Sequence, residues 1–347
     1  MSAPGDVRVR ELDAADVPRW NAFVASCPAA TFFHRAEWRE VIERAFGHPT
    51  TYLYAEDPGG AIRGVLPLAR VRSRLFGDTL ASLPFAVYGG VAAEDPAAAA
   101  QLEARACELA SALRVGSLEL RNRAARHPDW PTKRLYVTFR KAIAADHDAN
   151  LKAIPRKQRA MVRKGIDAGL AAVPTSEPDR VFAVYSESVR NLGTPVFPRR
   201  YFRLLKEAFG SDCEGLVVTH DGQDVAAVLS FYFRDEVLPY YGGSRLAARE
   251  LKGNDFMYWA LMQRSVERGA RLFDFGRSKE GTGSFSFKKN WGFEPEPLHY
   301  EYFLVKDRQM PDVNPMNPRY QLFIAGWKRL PLPLANLLGA RLSPYLG

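Results

Sequence analysis

The chain has 347 residues, which is too long for one ordinary hydrophobic core, so two domains of ordinary size are expected. A hydrophobic fraction of 47% and a charged fraction of 25% are those of a folded globular protein and exclude a disordered one. The net charge of +9 favours anionic partners: phosphates, nucleic acid or an anionic membrane surface.

Export, membrane insertion and metal binding are not indicated. The N-terminal stretch MSAPGDVRVRELDAAD is polar, and no apolar run approaches the length that spans a bilayer. Three scattered cysteines, Cys27, Cys107 and Cys213, fit a reducing compartment, and no Cys/His cluster has metal-ligand spacing. We therefore expect a cytoplasmic protein without a metal.

In chain order, the first half begins with an amphipathic helix from Phe33 that glycine ends at Gly47. The segment TYLYAEDPGGAIRGVLPLA then has the pattern of a β-hairpin. A Tyr-Gly-Gly at Tyr88, a helix over 97–113 and the strand GSLELRN follow.

The second half repeats this order about 155–165 residues later. Its helix runs from Phe197 to Gly210, its hairpin is GLVVTHDGQDVAAVLSFYF, and its Tyr-Gly-Gly begins at Tyr241. A helix over 255–268 leads into the strand of ARLFDFGRS. The repetition predicts an α/β fold of two tandem domains, each a mixed sheet with helices on its faces.

Between the halves, KAIPRKQRAMVRK (152–164) is densely basic and lacks acids, and it predicts one helix. Two alternatives stay open: a solvated helix face, or a strip that binds phosphate. The candidate contacts in the second alternative are Arg156, Arg159, Arg163 and Lys164.

The stretch FDFGRSKEGTGS places one carboxylate, Asp274, in an otherwise apolar strand. A buried carboxylate is costly unless it is paired, and Arg277 stands near enough to be the partner. Asp274 is therefore either half of a structural ion pair or a general base. Ser278 is a candidate hydrogen-bond donor to a ligand, and the glycines around it suit a flexible loop.

Strand alternation in FSFKKNW predicts that Lys288 and Lys289 point to opposite faces, so one of them can enter a catalytic site and Lys288 is favoured. Lys289 and Arg277 are candidate substrate contacts. The alternative is that both lysines protect a solvated edge strand. Tyr241 either hydrogen-bonds an acceptor or fills the core, and its repetition at Tyr88 favours the core. The first half has Glu119, Arg121 and Asn122 at the place of Asp274, Gly276 and Arg277, which suggests acceptor binding or structural support there.

The C-terminal stretch YQLFIAGWKRLPLPLANLLGARLSPYL (320–346) is apolar and lacks acids. Two alternatives stay open: an interfacial membrane helix, or an arm packed on the protein. Pro331 and Pro333 break any single amphipathic helix through it.

FDFGRS followed by FKKNWGFEP, the two Tyr-Gly-Gly motifs and the opening FFHRAEW…FG together resemble the FemAB family, over about residues 7–305. The chain looks most similar to FemAB-like proteins associated with exosortase (PEP-CTERM) and exopolysaccharide systems. The resemblance implies two acyltransferase domains of the GNAT type. We expect boundaries at 1–145 for the first domain, 146–178 for a basic helical insertion, 179–306 for the second domain and 307–347 for a C-terminal arm.

The resemblance also implies transfer of an aminoacyl or acyl group to an amine, on a cell-envelope or exopolysaccharide precursor. In the family's Phe-Lys motif, which matches Phe287-Lys288, the lysine stabilises the tetrahedral intermediate or a nearby phosphate; Asp274 and Tyr241 are the other catalytic candidates. The basic helix falls where the family has an insertion that contacts RNA or nucleotide phosphate.

The resemblance leaves the donor open. Coenzyme A-dependent GNAT proteins have a glycine-rich loop at a helix N-terminus, and RELKGND (249–255) is a degenerate version, in which Asn254 is either a ligand contact or an N-cap. The implied partners are a tRNA, a nucleotide-sugar, a lipid-linked precursor or acyl-CoA, with no bound cofactor and with peripheral contact at the inner face of the cytoplasmic membrane. The alternatives are an acyl-CoA or acyl-carrier N-acyltransferase, and a non-catalytic module that binds RNA or membrane.

Overall fold

The structure is a computed structural model that describes residues 7–73, 77–311 and 318–346. The chain divides into two compact units. Unit 1 comprises Met1–Tyr136, Pro297–Val313 and Pro344–Gly347, and unit 2 comprises Val137–Glu296 and Asn314–Ser343. The first six residues and residues 312–317 of the predicted C-terminal arm lie outside the described residues.

The elements up to the end of the first half are, in chain order, β1 (Arg8–Glu11), α1 (Val17–Ser26), α2 (Glu37–Phe46), β2 (Thr50–Glu56), β3 (Ile62–Ser73), β4 (Gly77–Ala81), β5 (Ala92–Ala93), α3 (Pro96–Ala112), β6 (Ser117–Asn122), β7 (Thr132–Lys133) and β8 (Tyr136–Ala142). The remaining elements are α4 (His147–Ala153), α5 (Arg156–Asp167), β9 (Ala171–Thr175), α6 (Pro178–Leu192), α7 (Arg199–Phe209), β10 (Cys213–His220), β11 (Gln223–Phe233), β12 (Glu236–Ser244), α8 (Ala247–Glu250), α9 (Gly253–Glu267), β13 (Leu272–Asp274), β14 (Ser278–Lys279), α10 (Gly283–Asn290), β15 (Pro295–Pro297), β16 (His299–Leu304), α11 (Pro318–Trp327) and α12 (Leu332–Leu342).

The two sheets have the same strand order. The first runs β1-β2-β3-β4-β6-β16-β7, with β5 beside β3, and the second runs β9-β10-β11-β12-β13-β8-β14, with β15 beside β8. In each sheet the fourth and fifth strands pair in parallel, β4 with β6 and β12 with β13, whereas the three preceding pairings are antiparallel. The predicted α/β fold of two tandem mixed-sheet domains is thus confirmed.

Local signals place the repeated elements. Gly47, at φ +71°, ends α2, and Asp221 and Gly222, at φ +47° and +74°, form the tight turn of the β10–β11 hairpin. Helix α3 starts at Pro96 because the Asp95 side chain accepts the Ala98 N–H at 2.9 Å. Local sequence therefore decides where these elements begin and end.

The sixth strand of each sheet comes from the other half of the chain. β8, which the predicted boundary at residue 145 assigned to the first domain, pairs with β13 in the second sheet. β16, assigned to the second domain by the boundary at residue 306, pairs with β6 in the first sheet. The prediction failed because alternating polar and apolar residues show that a strand is half-buried but do not show which sheet it joins.

The basic segment 146–178 is an integral part of unit 2. It contains α4, α5 and β9, and β9 is the edge strand next to β10. The single helix predicted over 152–164 is wrong, because Pro155 separates α4 from α5 and precedes the first turn of α5. Helix α5 packs closely on α9, where a Cβ on Gly165 would lie 2.8 Å from the Cβ of Phe256.

The C-terminal helices α11 and α12 also belong to unit 2, and the chain breaks between them before Pro331, as the prolines predicted. Helix α12 packs against α6, and Arg190 of α6 donates to the carbonyl of Leu330 at 3.1 Å. Among the described residues, no helix is both long and apolar enough to cross a bilayer.

Candidate functional site

The carboxyl ends of β12 and β13 separate. Their parallel pairing covers two residue pairs, of which Val237–Phe273 is the second. β12 then continues along β11 to Ser244, whereas the chain after β13 follows β8, with the Phe275 N–H donating to the carbonyl of Phe139 at 2.9 Å. In open α/β sheets ligands bind outside the carboxyl ends of strands where neighbouring strands part, so this edge is the candidate site.

Lys288 reaches this edge from a helix. The predicted strand FSFKKNW is wrong: Phe285 to Asn290 lie in α10 and Trp291 is its C-cap. The Thr282 hydroxyl caps the first turn of the helix by accepting the Phe285 N–H. Adjacent residues on a helix point about 100° apart. Lys288 is therefore buried while Lys289 is exposed, and the alternative of two lysines on a solvated edge strand is also wrong.

The Lys288 ammonium is held by three consecutive backbone carbonyls. Its Nζ donates to the carbonyls of Phe275 at 2.7 Å, Gly276 at 2.9 Å and Arg277 at 3.1 Å. The ring of Phe139 lies 5.5 Å from the same Nζ. Each of the three N–H groups of the charged lysine thus has a carbonyl acceptor, and these hydrogen bonds fix the turn that follows β13.

Burial lowers the pKa of Lys288 from 10.5 to about 7; the negative charge of Asp274 opposes this shift and the positive charge of Arg277 adds to it. A lysine side chain that changes charge near neutral pH is uncommon and is typical of functional sites. Its charge state can therefore respond to a reaction or a ligand at physiological pH.

Asp274 is fully buried and engaged on both carboxylate oxygens. Oδ1 accepts the Gly276 N–H at 2.7 Å and lies 3.4 Å from the Thr138 hydroxyl, and Oδ2 accepts from Arg140 Nε at 3.2 Å. Arg140 also pairs with Glu236. These contacts favour the ion-pair alternative for Asp274; the sequence pointed to Arg277 as the partner and missed Arg140.

Ser278 follows the turn that holds Lys288. It is 4% exposed, and its Oγ has no hydrogen-bond partner among the described residues. A buried hydroxyl without a partner is costly in a dry interior and is satisfied when a ligand or water reaches it. The prediction that Ser278 contacts a ligand is compatible with this geometry and stays a prediction.

Tyr241 lies within an aromatic cluster of β12, α6 and α7. Its hydroxyl is 2.8 Å from that of Tyr201, and its ring packs against Phe202 at 5.1 Å and Tyr185 at 5.5 Å. Burial, with the neighbouring Tyr201, raises the pKa of Tyr241 well above its usual value. The surroundings favour the core alternative over a catalytic hydroxyl. At the adjacent Tyr240 the register with β11 shifts, which marks a β-bulge.

The first turn of α9 contains a buried carboxylate that is bound by side chains of other segments. The helix begins at Gly253, so Asn254 is exposed within the first turn and is not the N-cap. The buried Asp255 carboxylate accepts from Gln158 Nε2 at 2.9 Å and Trp291 Nε1 at 3.0 Å. Burial raises the pKa of Asp255, although both hydrogen bonds oppose the shift.

Gly253 is explained by packing, because a Cβ there would lie 2.8 Å from the Cβ of Ala248. With one glycine, explained by packing, and a buried carboxylate in the first turn of the helix, the RELKGND stretch differs from the glycine-rich loop expected of a pyrophosphate site.

Helix α5 presents a basic outer face. Gln158, Val162 and Gly165 face the core. The cationic side chains of the opposite face are Arg156, Lys157, Arg159, Arg163 and Lys164; all are exposed except Arg159, which is half-buried. This geometry suits contact with a polyanion as well as simple solvation, so both alternatives from the sequence remain.

In unit 1 the corresponding edge is closed by a buried network. Glu119 accepts from Arg121 Nε at 2.7 Å and from the Tyr302 hydroxyl at 2.8 Å. Burial alone would raise the pKa of Glu119, but the charges of Arg121 and Lys133 and these hydrogen bonds outweigh it and lower the pKa.

A second carboxylate of unit 1, Glu301, accepts from Asn122 Nδ2 at 2.6 Å and from the backbone N–H groups of Arg126 and His127. With both carboxylates and Asn122 engaged in this way, structural support is the better interpretation of Glu119, Arg121 and Asn122.

Comparison with known proteins agrees with this duplicated architecture. Residues 151–289 match the family model described as an acetyltransferase (GNAT) domain. The structure is similar to that of FemX, at a TM-score of 0.68 and 15% identity over 91% of this chain and 100% of that one. It is also similar to the structure of a tandem GNAT protein from the clavulanic acid biosynthesis pathway. The TM-score is 0.54 and the sequence identity is 15%, over 86% of this chain and 98% of that one. The chain has the tandem GNAT fold.

A further similar structure is L-PGS from Bacillus licheniformis, at a TM-score of 0.55 and 13% identity over 87% of this chain and 95% of that one. No curated protein matches the chain significantly. Among the described residues, no group of three or more His, Cys, Asp or Glu side chains could hold a metal ion.

Within this tandem GNAT fold, sequence reasoning missed the residues that reach the site from distant segments. Arg140 and Thr138 arrive on β8, and Gln158 arrives on α5. Periodicity shows that β8 is a strand, but its place beside β13 depends on the exchange of strands between the halves. The contact of Trp291 with Asp255 did have a signal in the sequence, because a buried indole N–H needs a hydrogen-bond acceptor.

Proposed function

We propose that this tandem GNAT protein transfers an aminoacyl or acyl group to an amine, and that the edge formed by β13 and α10 in unit 2 is where the reaction occurs. The observation that carries the proposal is Lys288, a buried ammonium with a pKa of about 7 at the separating ends of two parallel strands. The match of residues 151–289 to an acetyltransferase domain, which ends at Lys289, supports the reaction class.

In this reaction the neutral amine nitrogen attacks the donor's carbonyl carbon, and negative charge develops on the carbonyl oxygen. The bond to the leaving oxygen or sulfur then breaks, the nitrogen loses a proton, and the leaving group gains one. Lys288 donates all three of its N–H groups to carbonyls, so we assign it a role through its charge and through the turn that it fixes. In a site of low dielectric constant, one positive charge stabilises a developing oxyanion strongly.

For the donor we propose aminoacyl-tRNA. The basic face of α5 suits a phosphate backbone. The segment before α9, where a coenzyme A pyrophosphate loop would be expected, has one glycine and places the buried Asp255 in the first turn of the helix. The acyl-CoA alternative is the other outcome of the donor test. The resemblance to FemAB proteins supports an amine acceptor on a cell-envelope or exopolysaccharide precursor, a cytoplasmic location at the inner face of the membrane, and an association with exosortase systems.

The donor test has two arms. Thermal-shift titrations with acetyl-CoA and with total tRNA charged by radiolabelled amino acids identify the donor class, because a ligand of the folded state raises the melting temperature. Transfer of label from tRNA, or release of free thiol from acetyl-CoA, is then followed on a panel of amines that includes amino sugars and lysine-containing peptides. A chain that binds RNA but transfers nothing from either donor would be the non-catalytic module instead.

The role of Lys288 is tested against its neighbour. Lys288→Met should lower kcat by roughly a hundredfold to a thousandfold, the usual effect of removing one group that stabilises an oxyanion, and should leave KM for the donor nearly unchanged. Lys289→Met is the matched control, because the proposal gives the exposed Lys289 no role. Equal activity of the two variants would refute the assignment.

A pH profile separates charge from structure. If the protonated lysine is the active form, wild-type kcat/KM should fall as the pH rises through about 7. Lys288→Arg keeps its charge at all these pH values, so whatever activity it retains should lack this fall. A variant that lost activity by misfolding would show no such selective change.

A further inference from the structure

The C-terminal helices of unit 2 have two unlike faces. Helix α12 buries Ala335 and Gly339 against the protein, and a Cβ on Gly339 would lie 2.8 Å from the backbone nitrogen of Val196. Its opposite face presents Leu334, Leu337 and Arg341, which are one and two turns apart. The packed-arm alternative therefore holds for one face of α12, and the interfacial alternative stays open for the exposed face.

Helix α11 also exposes apolar side chains. Leu322 is 87% exposed and Phe323 45%, and the turn after α6 places Leu192, 68% exposed, in the same region, because a Cβ on Gly193 would lie 2.5 Å from Ile324. We call this set the leucine face: Leu192, Leu322, Phe323, Leu334 and Leu337. These five belong to the ten large hydrophobic side chains that the described part of the chain exposes, so the exposure is concentrated here.

The C-terminal stretch that carries α11 and α12 has charged side chains of one sign. Residues 313–347 contain four basic residues, Arg319, Lys328, Arg329 and Arg341, and no Asp or Glu. Lys328 and Arg329 follow α11 directly, and both are exposed. Exposed leucines with cations beside them match a surface that is apolar inside and anionic at its boundary.

We propose that the leucine face is a docking surface for an anionic lipid bilayer, on which the protein rests without spanning it. A surface that binds a protein usually has a polar rim, in which we would expect both acidic and basic side chains. The absence of acidic residues over 313–347 instead favours the phosphate headgroups of a membrane. This inference does not depend on the chemistry at Lys288.

The test is co-sedimentation of the full chain with vesicles of equal parts phosphatidylglycerol and phosphatidylcholine, and with phosphatidylcholine vesicles. We expect binding to the anionic vesicles, weaker binding to the neutral ones, and a loss of affinity with added salt. Leu334→Ser/Leu337→Ser should lower the partition coefficient about tenfold or more, because two inserted side chains are removed. Lys328→Glu/Arg329→Glu should lower it severalfold on anionic vesicles alone.

Matched controls have the same chemistry elsewhere. Leu246→Ser removes a leucine that is 71% exposed but lies outside the arm, and Arg8→Glu/Arg105→Glu reverses two exposed cations of unit 1; both should bind vesicles as the wild type does. Circular dichroism melting of each variant confirms that it is folded.

Three results would overturn the proposal. The wild type could remain in the supernatant with anionic vesicles, or the double serine variant could bind as tightly as the wild type. In the third, analytical ultracentrifugation would show a dimer that the double serine variant dissociates and that vesicles do not, which would assign the leucine face to a second copy of the chain.

Discussion

The parallel strand pairs of the two units end in opposite ways. In unit 1, hydrogen bonds continue past β4, with the Ser82 N–H donating to the carbonyl of Glu119 and the N–H groups of Gly89 and Gly90 to that of Arg121. The charges at this edge are compensated within the protein. In unit 2, β12 and β13 stop pairing after two residue pairs. This edge holds the Lys288 ammonium, whose pKa is lowered, and the buried Ser278 hydroxyl, which has no hydrogen-bond partner in the described part of the chain.

The two edges differ although the fold is the same. The strand order and directions of the two sheets match, so the architecture alone does not account for the difference. A few side chains distinguish the edges: in unit 1 Glu119 and Arg121 compensate each other, whereas unit 2 has a titratable lysine beside its own pair of Asp274 and Arg140. The predictions below test whether the first is structural and the second is functional.

The largest expected effect is on unit 1. Glu119→Ala leaves the buried Arg121 without its carboxylate and should lower the free energy of unfolding by about 3–5 kcal/mol, measured by urea denaturation followed by circular dichroism. Glu40→Ala removes an exposed pair with Arg44 and should cost less than about 1 kcal/mol. A Glu119→Ala variant as stable as the wild type would remove the evidence for a structural network.

A smaller loss is expected at Asp274. Asp274→Asn keeps an oxygen for the Gly276 N–H and leaves Arg140 paired with Glu236, so the cost should be about 2 kcal/mol. Asp221→Asn, at a side chain that is 89% exposed, is the control and should be nearly neutral. A cost at Asp274 that equals or exceeds the cost at Glu119 would contradict the contrast between the two edges.

The third prediction concerns pH. The folded-state pKa of Lys288 is about 7 and its unperturbed value is 10.5, so between these pH values the unfolded chain binds more protons at this group. Stability should therefore rise with pH in this window, by up to about 1.4 kcal/mol per pH unit, and the contribution should level off below pH 7. The measurement is the pH dependence of the difference in unfolding free energy between the wild type and Lys288→Met.

Lys289→Met, at the exposed neighbouring lysine, is the comparison variant for this measurement. An equal pH dependence of both variants, or none in either, would show that Lys288 keeps an ordinary pKa.

The smallest effect is expected at Ser278. Because its buried hydroxyl has no hydrogen-bond partner in the described part of the chain, Ser278→Ala should not lower the unfolding free energy and should raise it by up to about 1 kcal/mol. Ser82→Ala in unit 1 removes the acceptor of the Arg121 N–H and should cost about 1 kcal/mol. If Ser278→Ala were the more damaging of the two, the hydroxyl would have a structural partner and would not be waiting for a ligand.

The fold was largely predictable because its elements repeat local signals. The helices predicted over 97–113 and 255–268 are observed as Pro96–Ala112 and Gly253–Glu267, and both hairpins form where the turn residues indicated. The sequence favoured Lys288 over Lys289 for the site from the wrong element, and Lys288 is the buried one of the two. The alternation of Phe285 and Phe287 imitates a strand, and the cap at Thr282 makes these residues helical.

The sequence by itself determined the duplicated order of elements, the break at Pro331 and the acid-free basic segments, since periodicity, turn residues and charge are local properties of the chain. Tertiary structure alone decided that β8 and β16 exchange sheets, that Arg140 meets Asp274, and that three carbonyls surround Lys288. The physical reason is that a buried charge takes its pKa from whatever the fold places around it, and those neighbours come from segments far apart in the chain.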